Sequence, residues 1–193
     1  MVNGVGDAEG LGWRGRAVAT ARGAGVDLTA YDLGVRRNTS ADVRARWERE
    51  TLARFPPGAE RRLLFAFGTN DCATEEGGGA RGPRVAPDDA LANADAILAR
   101  ARELAPTVMV GPAPALDDEA VDARVRALEP GLRSVADRHR VPFLPIFEWC
   151  RANSAWTEGA ARGDGTHPDA AGYAALAGRV LGWAPFRAWV GLG

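Results

Sequence analysis

Short apolar runs alternating with helically spaced apolar residues predict an α/β protein built on a parallel sheet. Leu63-Leu64-Phe65-Ala66-Phe67 is continuous rather than alternating, as a strand covered on both faces requires. Leu91, Ala94, Leu98, Ala101 and Leu104, and then Val121, Val125, Leu128, Leu132 and Val135, recur at the spacing of crossover helices.

In chain order, Trp13, Ala17 and Ala21 mark a first helix, and residues 27–33 form a weaker, more polar strand candidate. Val43 and Trp47 fall in a helix capped by Thr39 or Ser40. The strand from Leu63 ends at Gly68, and the first crossover helix leads to Val108-Met109-Val110. The second leads to a strand over 141–147, and a last helix runs over 168–183, opened by Pro168-Asp169. Residues 71–86, with Gly77, Gly78, Gly79 and Gly82, and residues 150–166 read as irregular. Loops that follow strand C-termini hold the ligand in open α/β sheets, so chemistry is expected there.

The 193 residues suit one domain spanning 1–193, long enough to bury about two-thirds of its unfolded surface. Every positive charge is Arg, and 24 of them against 25 acids leave a net charge of -1, so no basic footprint for nucleic acid is present. Cys72 and Cys150 are too few for a disulfide scaffold or a metal cluster, and no metal is expected. No apolar run approaches the roughly 18 residues of a membrane span, and residues 1–20 lack a signal-peptide core. As written the chain reads as cytoplasmic, with secretion left open because the N-terminus of the full protein is open.

Three segments fall after strand ends. Asp164-Gly165-Thr166-His167-Pro168 puts a carboxylate three residues before a histidine at a helix start, so Asp164 can hold one ring nitrogen of His167 while the other faces a substrate. A capping Asp beside a surface His would use the same letters. Gly68-Thr69-Asn70-Asp71 sets an amide donor immediately after a buried strand, where it can face an oxyanion, although Gly, Asn and Asp also simply form turns. Asp32-Leu33-Gly34 offers a backbone N–H at a position of close approach. His139, in an Arg-His-Arg run closing a helix, reads as a solvated helix end.

Together these blocks resemble the SGNH hydrolases, also called GDSL lipases and esterases. Gly34 matches the glycine of the second block, Asn70 the asparagine of Gly-x-Asn-Asp, and Asp164 and His167 the final Asp-x-x-His. The resemblance spans nearly the whole chain. It implies a three-layer α/β/α, flavodoxin-like fold with a five-stranded parallel sheet, and ester or thioester hydrolysis by a serine in a Gly-Asp-Ser motif ending the first strand. The implied oxyanion hole is Gly34 and Asn70, the substrate is a small acyl ester or thioester, and no cofactor is implied.

That serine is missing. In one reading Gly6-Asp7-Ala8 is the motif with its nucleophile replaced by Ala8, but Asn3-Gly4 is a turn pair and residues 1–5 make a poor buried strand. In the other, the sequence starts one residue after the serine, with its first strand missing, and Gly4 closes a Gly-Asp-Ser-x-x-x-Gly block. The second fits better, because it leaves about thirty-four residues to Gly34, enough for a strand-helix-strand unit of roughly thirty. Ser40, Ser134 and Ser154 have ordinary structural uses, and Cys72 is a remote substitute nucleophile. Gly4-Val5-Gly6 opens a weak dinucleotide-loop match with no strand before it. Trp149 and Trp156 are candidates for an acyl wall, and Arg81 and Arg84 for an anionic group, against core packing and plain solvation. The expectation is a GDSL-type acylhydrolase; the alternative is a ligand-binding protein on the same fold without catalysis.

Overall fold

The computed structural model describes residues 3–74 and 82–193. Met1–Arg36 and Glu148–Gly193 gather into one compact unit, and Arg37–Phe147 into another. The elements in chain order are α1 (Gly12–Gly23), α2 (Ser40–Leu52), β1 (Leu63–Phe65), α3 (Thr69–Cys72), α4 (Pro87–Leu104), β2 (Thr107–Val110), α5 (Glu119–Arg138), β3 (Phe143–Leu144), α6 (Phe147–Ala152), α7 (Ser154–Arg162), α8 (Ala170–Leu181) and α9 (Ala184–Val190).

The Arg37–Phe147 unit holds a parallel sheet in the order β1-β2-β3. Leu63 pairs with Thr107 and Phe65 with Met109; Met109 in turn pairs with Phe143. Successive side chains of β2 point to opposite faces, and all four are buried, which is why its sequence is apolar without alternation. Met109 enters a core with Ile97 and Leu98 of α4 and Leu132 of α5, while Val108 and Val110 are buried on the other face. Trp47 of α2 meets Phe65 edge-on at 5.3 Å, which ties α2 to the sheet's first strand. The predicted cap of α2 is present as a full capping box, with Thr39 and Asp42 satisfying each other's backbone N–H groups.

In the other unit, α1 buries the predicted Trp13, Ala17 and Ala21, and α1, α7 and α9 each pack on α8. Gly172 lets α8 approach α7, since a Cβ there would lie 3.1 Å from the Trp156 Cα. Asn153 caps α7 and Asp169 caps α8, each accepting backbone N–H groups in the first turn.

The sheet departs from expectation in three places. Residues 27–33 are no strand: they are largely exposed and find no ladder partner among the described residues. The strand expected over 141–147 shrinks to Phe143–Leu144, because Pro142 and Pro145 have no N–H to give a ladder and Phe147 already begins α6. The family's five strands are therefore three among the described residues. Residues 150–166, expected to be irregular, instead carry the end of α6 and all of α7, and Asn153, a favoured cap residue, was the legible sign. Within 71–86 the chain closes α3 and forms an antiparallel bridge between Thr74 and Pro83. Gly77, Gly78, Gly79 and Arg81 lie outside the described residues, as do Met1 and Val2 of the candidate first strand.

Candidate active site

Residues 164–168 make a tight turn into α8, and Asp164 organises it. One carboxylate oxygen accepts the N–H groups of Thr166 at 3.0 Å and His167 at 2.8 Å. The other lies 2.8 Å from His167 Nδ1. Burial works against the charge, but the His167 N–H, its ring and the Thr166 N–H outweigh it and hold the carboxyl at about 2. An ionised carboxylate can only accept, so Nδ1 carries the hydrogen, and in the neutral imidazole the lone pair is the one on Nε2. The Asp-x-x-His spacing thus produces an oriented imidazole, with the His167 side chain 19% exposed.

Residues 3–12 form successive turns rather than a strand, with Asp7 N–H bonded to the Gly4 carbonyl and Gly10 N–H to that of Asp7. Asp7 is buried, accepts from the Glu9 and Gly12 N–H groups, and is gripped by Arg16. That guanidinium, against the cost of burial, holds the Asp7 carboxyl at about 2. Asp7 therefore knits the entry to α1, a task that composition did not reveal. Ala8 is exposed on the same turn. Gly34 is exposed; its N–H donates to Asp32 at 2.8 Å, and its carbonyl accepts from Asn3. The N–H expected to face an oxyanion is thus engaged by an Asx turn that the Asp-x-Gly spacing announced.

Asn70 belongs to the Arg37–Phe147 unit, on the short helix α3 after β1. One amide N–H donates to the Asn38 carbonyl at 3.0 Å, and an amide has a second to offer. Its neighbour Asp71 is 1% exposed and accepts from the Ser40 N–H at 2.9 Å and the Ser40 hydroxyl at 2.6 Å. Asn93 donates on to the Ser40 oxygen, and Arg44 to Asn93. The other Asp71 oxygen is buried with no partner among the described residues, and burial raises the Asp71 pKa despite the bonds to Ser40. Sequence reading saw Ser40 only as a cap and Asp71 only as part of a turn.

The remaining candidates have structural roles. Cys72 is buried in the core and its thiol is pushed up to about 12, chiefly by burial, so it has no thiolate to offer. Ser40 spends its hydroxyl on Asp71, Ser134 bonds the Pro130 carbonyl within α5, and Ser154 opens α7. Trp156 is core, edge-on to Tyr173 at 6.0 Å, and Trp149 lies under the Arg179 guanidinium. Arg84 donates to the Arg37 carbonyl. His139 caps α5 and sits 2.8 Å from Asp95 of α4, a second His–Asp pair at a helix end. Among the described residues, no group of three or more His, Cys, Asp or Glu could hold a metal ion, and no helix is long and apolar enough to cross a membrane.

Solved structures share this α/β fold. LAE5, an alpha/beta hydrolase enzyme from the metagenome of Lake Arreo, Spain, superposes with a TM-score of 0.70 at 22% identity, over 95% of this chain and 83% of its own. The acetylxylan esterase Axe2 from Geobacillus stearothermophilus gives 0.71 at 17% identity over the same shares. The lipase/acylhydrolase from Enterococcus faecalis gives 0.71 at 18%, over 91% of this chain and 83% of that one. No curated protein matches. The model of the GDSL-like Lipase/Acylhydrolase family covers residues 1–175, and the chain belongs to that family.

Proposed function

We propose that this chain carries the base, its orienting acid and an oxyanion donor of a serine acylhydrolase that cleaves small carboxylic esters or thioesters. The observation that supports it most is the double grip of Asp164 on His167, through the backbone N–H and through Nδ1, which leaves Nε2 without a partner among the described residues. In this reading Nε2 takes the proton from a serine hydroxyl as its oxygen bonds the acyl carbon. It returns that proton to the leaving alcohol or thiol as the carbon–oxygen or carbon–sulfur bond breaks, and then activates water to release the acid. The second N–H of Asn70 takes the oxyanion role that its motif suggests. Gly34 joins only if Asp32, which also pairs with Arg14, lets go of its N–H.

The serine itself we assign to a Gly-Asp-Ser segment ahead of Met1 rather than to the Ala8 position. Support comes from Asp7, whose carboxylate is spent on Arg16 and on the Glu9 and Gly12 N–H groups, and from residues 3–10, which turn instead of extending. It comes also from β1, which pairs with β2 and with no other strand among the described residues.

The test is hydrolysis of short p-nitrophenyl esters by three proteins: the present chain, its Ala8→Ser variant, and the chain extended by an apolar strand ending in Gly-Asp-Ser. The extended protein should turn over and lose about a thousandfold or more in kcat on His167→Ala, because nucleophile and base act as a unit. The other two should stay at background. Turnover by Ala8→Ser would return the nucleophile to position 8, and turnover by the present chain that survives His167→Ala would overturn the site.

A further inference from the structure

The Gly-rich loop over residues 4–12 abuts the candidate base. Tyr173, fully buried on α8, donates its hydroxyl hydrogen to the Val5 carbonyl at 2.8 Å. Burial pushes that phenol well above its ordinary range, so it stays a donor across the working pH range. The next residue, Gly6, has φ +86°, and a Cβ there would lie 2.8 Å from the Pro168 carbonyl, 3.3 Å from that of His167 and 3.4 Å from His167 Cβ. The residue after that, Asp7, is locked by Arg16 and by the Gly12 N–H. Three consecutive residues are therefore fixed, and the middle one lies close against the backbone of His167 and Pro168.

We infer that Tyr173 and Gly6 are positioning residues for His167: the tyrosine hydroxyl seats Val5-Gly6 against the backbone of His167 and Pro168, which holds the imidazole on Asp164. Asp164 binds His167 from one side only, and its side chain is half exposed. Water competes for that bond unless something keeps the ring from swinging away, and the loop stands against the backbone and Cβ that carry it. Gly6 is glycine on two counts, the left-handed backbone and the missing space.

The inference rests on His167 being the base, but its test does not need turnover. The present chain has just two histidines, so the Nδ1–H proton of His167 and the ring signals of His139 can be separated by proton–nitrogen NMR. Water exchange of the His167 Nδ1–H then reads how often the ring leaves Asp164. Gly6→Ala should raise that exchange about tenfold, and Tyr173→Phe, which removes one hydrogen bond and keeps the ring packing, about fivefold. Gly10→Ala is the control: φ is +65°, also left-handed, but its Cβ would meet nothing within 4 Å among the described residues. It should lower the melting temperature and leave the His167 signal within about twofold of wild type. His139, paired with Asp95, should not respond in any variant. Equal behaviour of Gly6→Ala and Gly10→Ala, or an unchanged signal in folded Tyr173→Phe, overturns the inference, and the latter keeps it testable if Gly6→Ala does not fold. In the extended protein, Tyr173→Phe should lower kcat about fivefold with KM unchanged. Should the NMR pattern appear while no His167-dependent turnover does, the positioning stands and the esterase reading fails.

Discussion

Asp164 and Asp71 each fix a candidate residue beside them, one in water and the other in the core. Asp164 draws its partners from the three residues that follow it, and its side chain is 49% exposed. Asp71 is 1% exposed and reaches Ser40, 31 residues away, with one oxygen unpartnered. Their pKa values move in opposite directions, down to about 2 for Asp164 and upward for Asp71. A turn that binds itself draws its hydrogen bonds from its own residues, whereas a buried carboxylate depends on every group around it. The candidate base thus takes its hydrogen bonds locally, and the asparagine turn takes its own from tertiary structure.

The comparison breaks most readily at Asp71. Asp71→Ala leaves the Ser40 N–H and hydroxyl without an acceptor in the core and should cost about 2 to 4 kcal/mol in urea denaturation. Asp71→Asn keeps the accepting oxygen and should cost below about 1 kcal/mol. Equal losses would show that the bonds to Ser40 do not matter. The sign with pH follows from the raised folded pKa. The folded state holds that proton more tightly, so Asp71's contribution is complete below the unfolded value near 4 and is lost as pH rises through the folded one. Asp71→Asn should flatten that limb.

A second test sets Asp7 against Asp164, both held at about 2. Lowered values mean stability present above about pH 4 and lost as pH falls toward 2. Asp7 has a fully buried side chain paired with Arg16, so Asp7→Asn should cost about 2 kcal/mol at pH 7 and remove most of the acid slope. Asp164→Asn should cost less than about 1 kcal/mol, because water screens a half-exposed carboxylate. Urea midpoints at pH 7 and pH 3 distinguish the two; a larger loss for Asp164 would reverse the ranking.

The smallest effect is expected at the other His–Asp pair. His139→Gln should change stability by less than about 1 kcal/mol, since Asp95 is 41% exposed and is shared with Arg138. A loss of several kcal/mol would mean that this helix end matters far more than its exposure suggests.

Local features were legible in the sequence. The faces of α1, α4 and α5 bury the apolar residues that helical spacing selected, including Trp13, Leu98 and Val125. The Thr39 cap and the Asp164–His167 contact also follow from spacings of three residues. What escaped depends on partners distant in sequence or on missing ones. Residues 27–33 carry strand-like letters but no neighbour to pair with among the described residues, and the apolar run 141–147 hides the prolines that shorten β3. Ser40 and Asp71 meet only after folding, and neither residue type signals the other. Asp7 and Tyr173 take partners, Arg16 and the Val5 carbonyl, that neither residue type signals, although the carboxylate in Gly6-Asp7-Ala8 is buried.

The most direct test is covalent labelling of the extended protein with a fluorophosphonate, which reacts with a serine only when a base activates it. The account predicts stoichiometric labelling at the added Gly-Asp-Ser serine, loss of labelling on His167→Ala, and none in the present chain. Labelling of the present chain at Ser40, Ser134 or Ser154, or labelling of the extended protein that persists without His167, would contradict it.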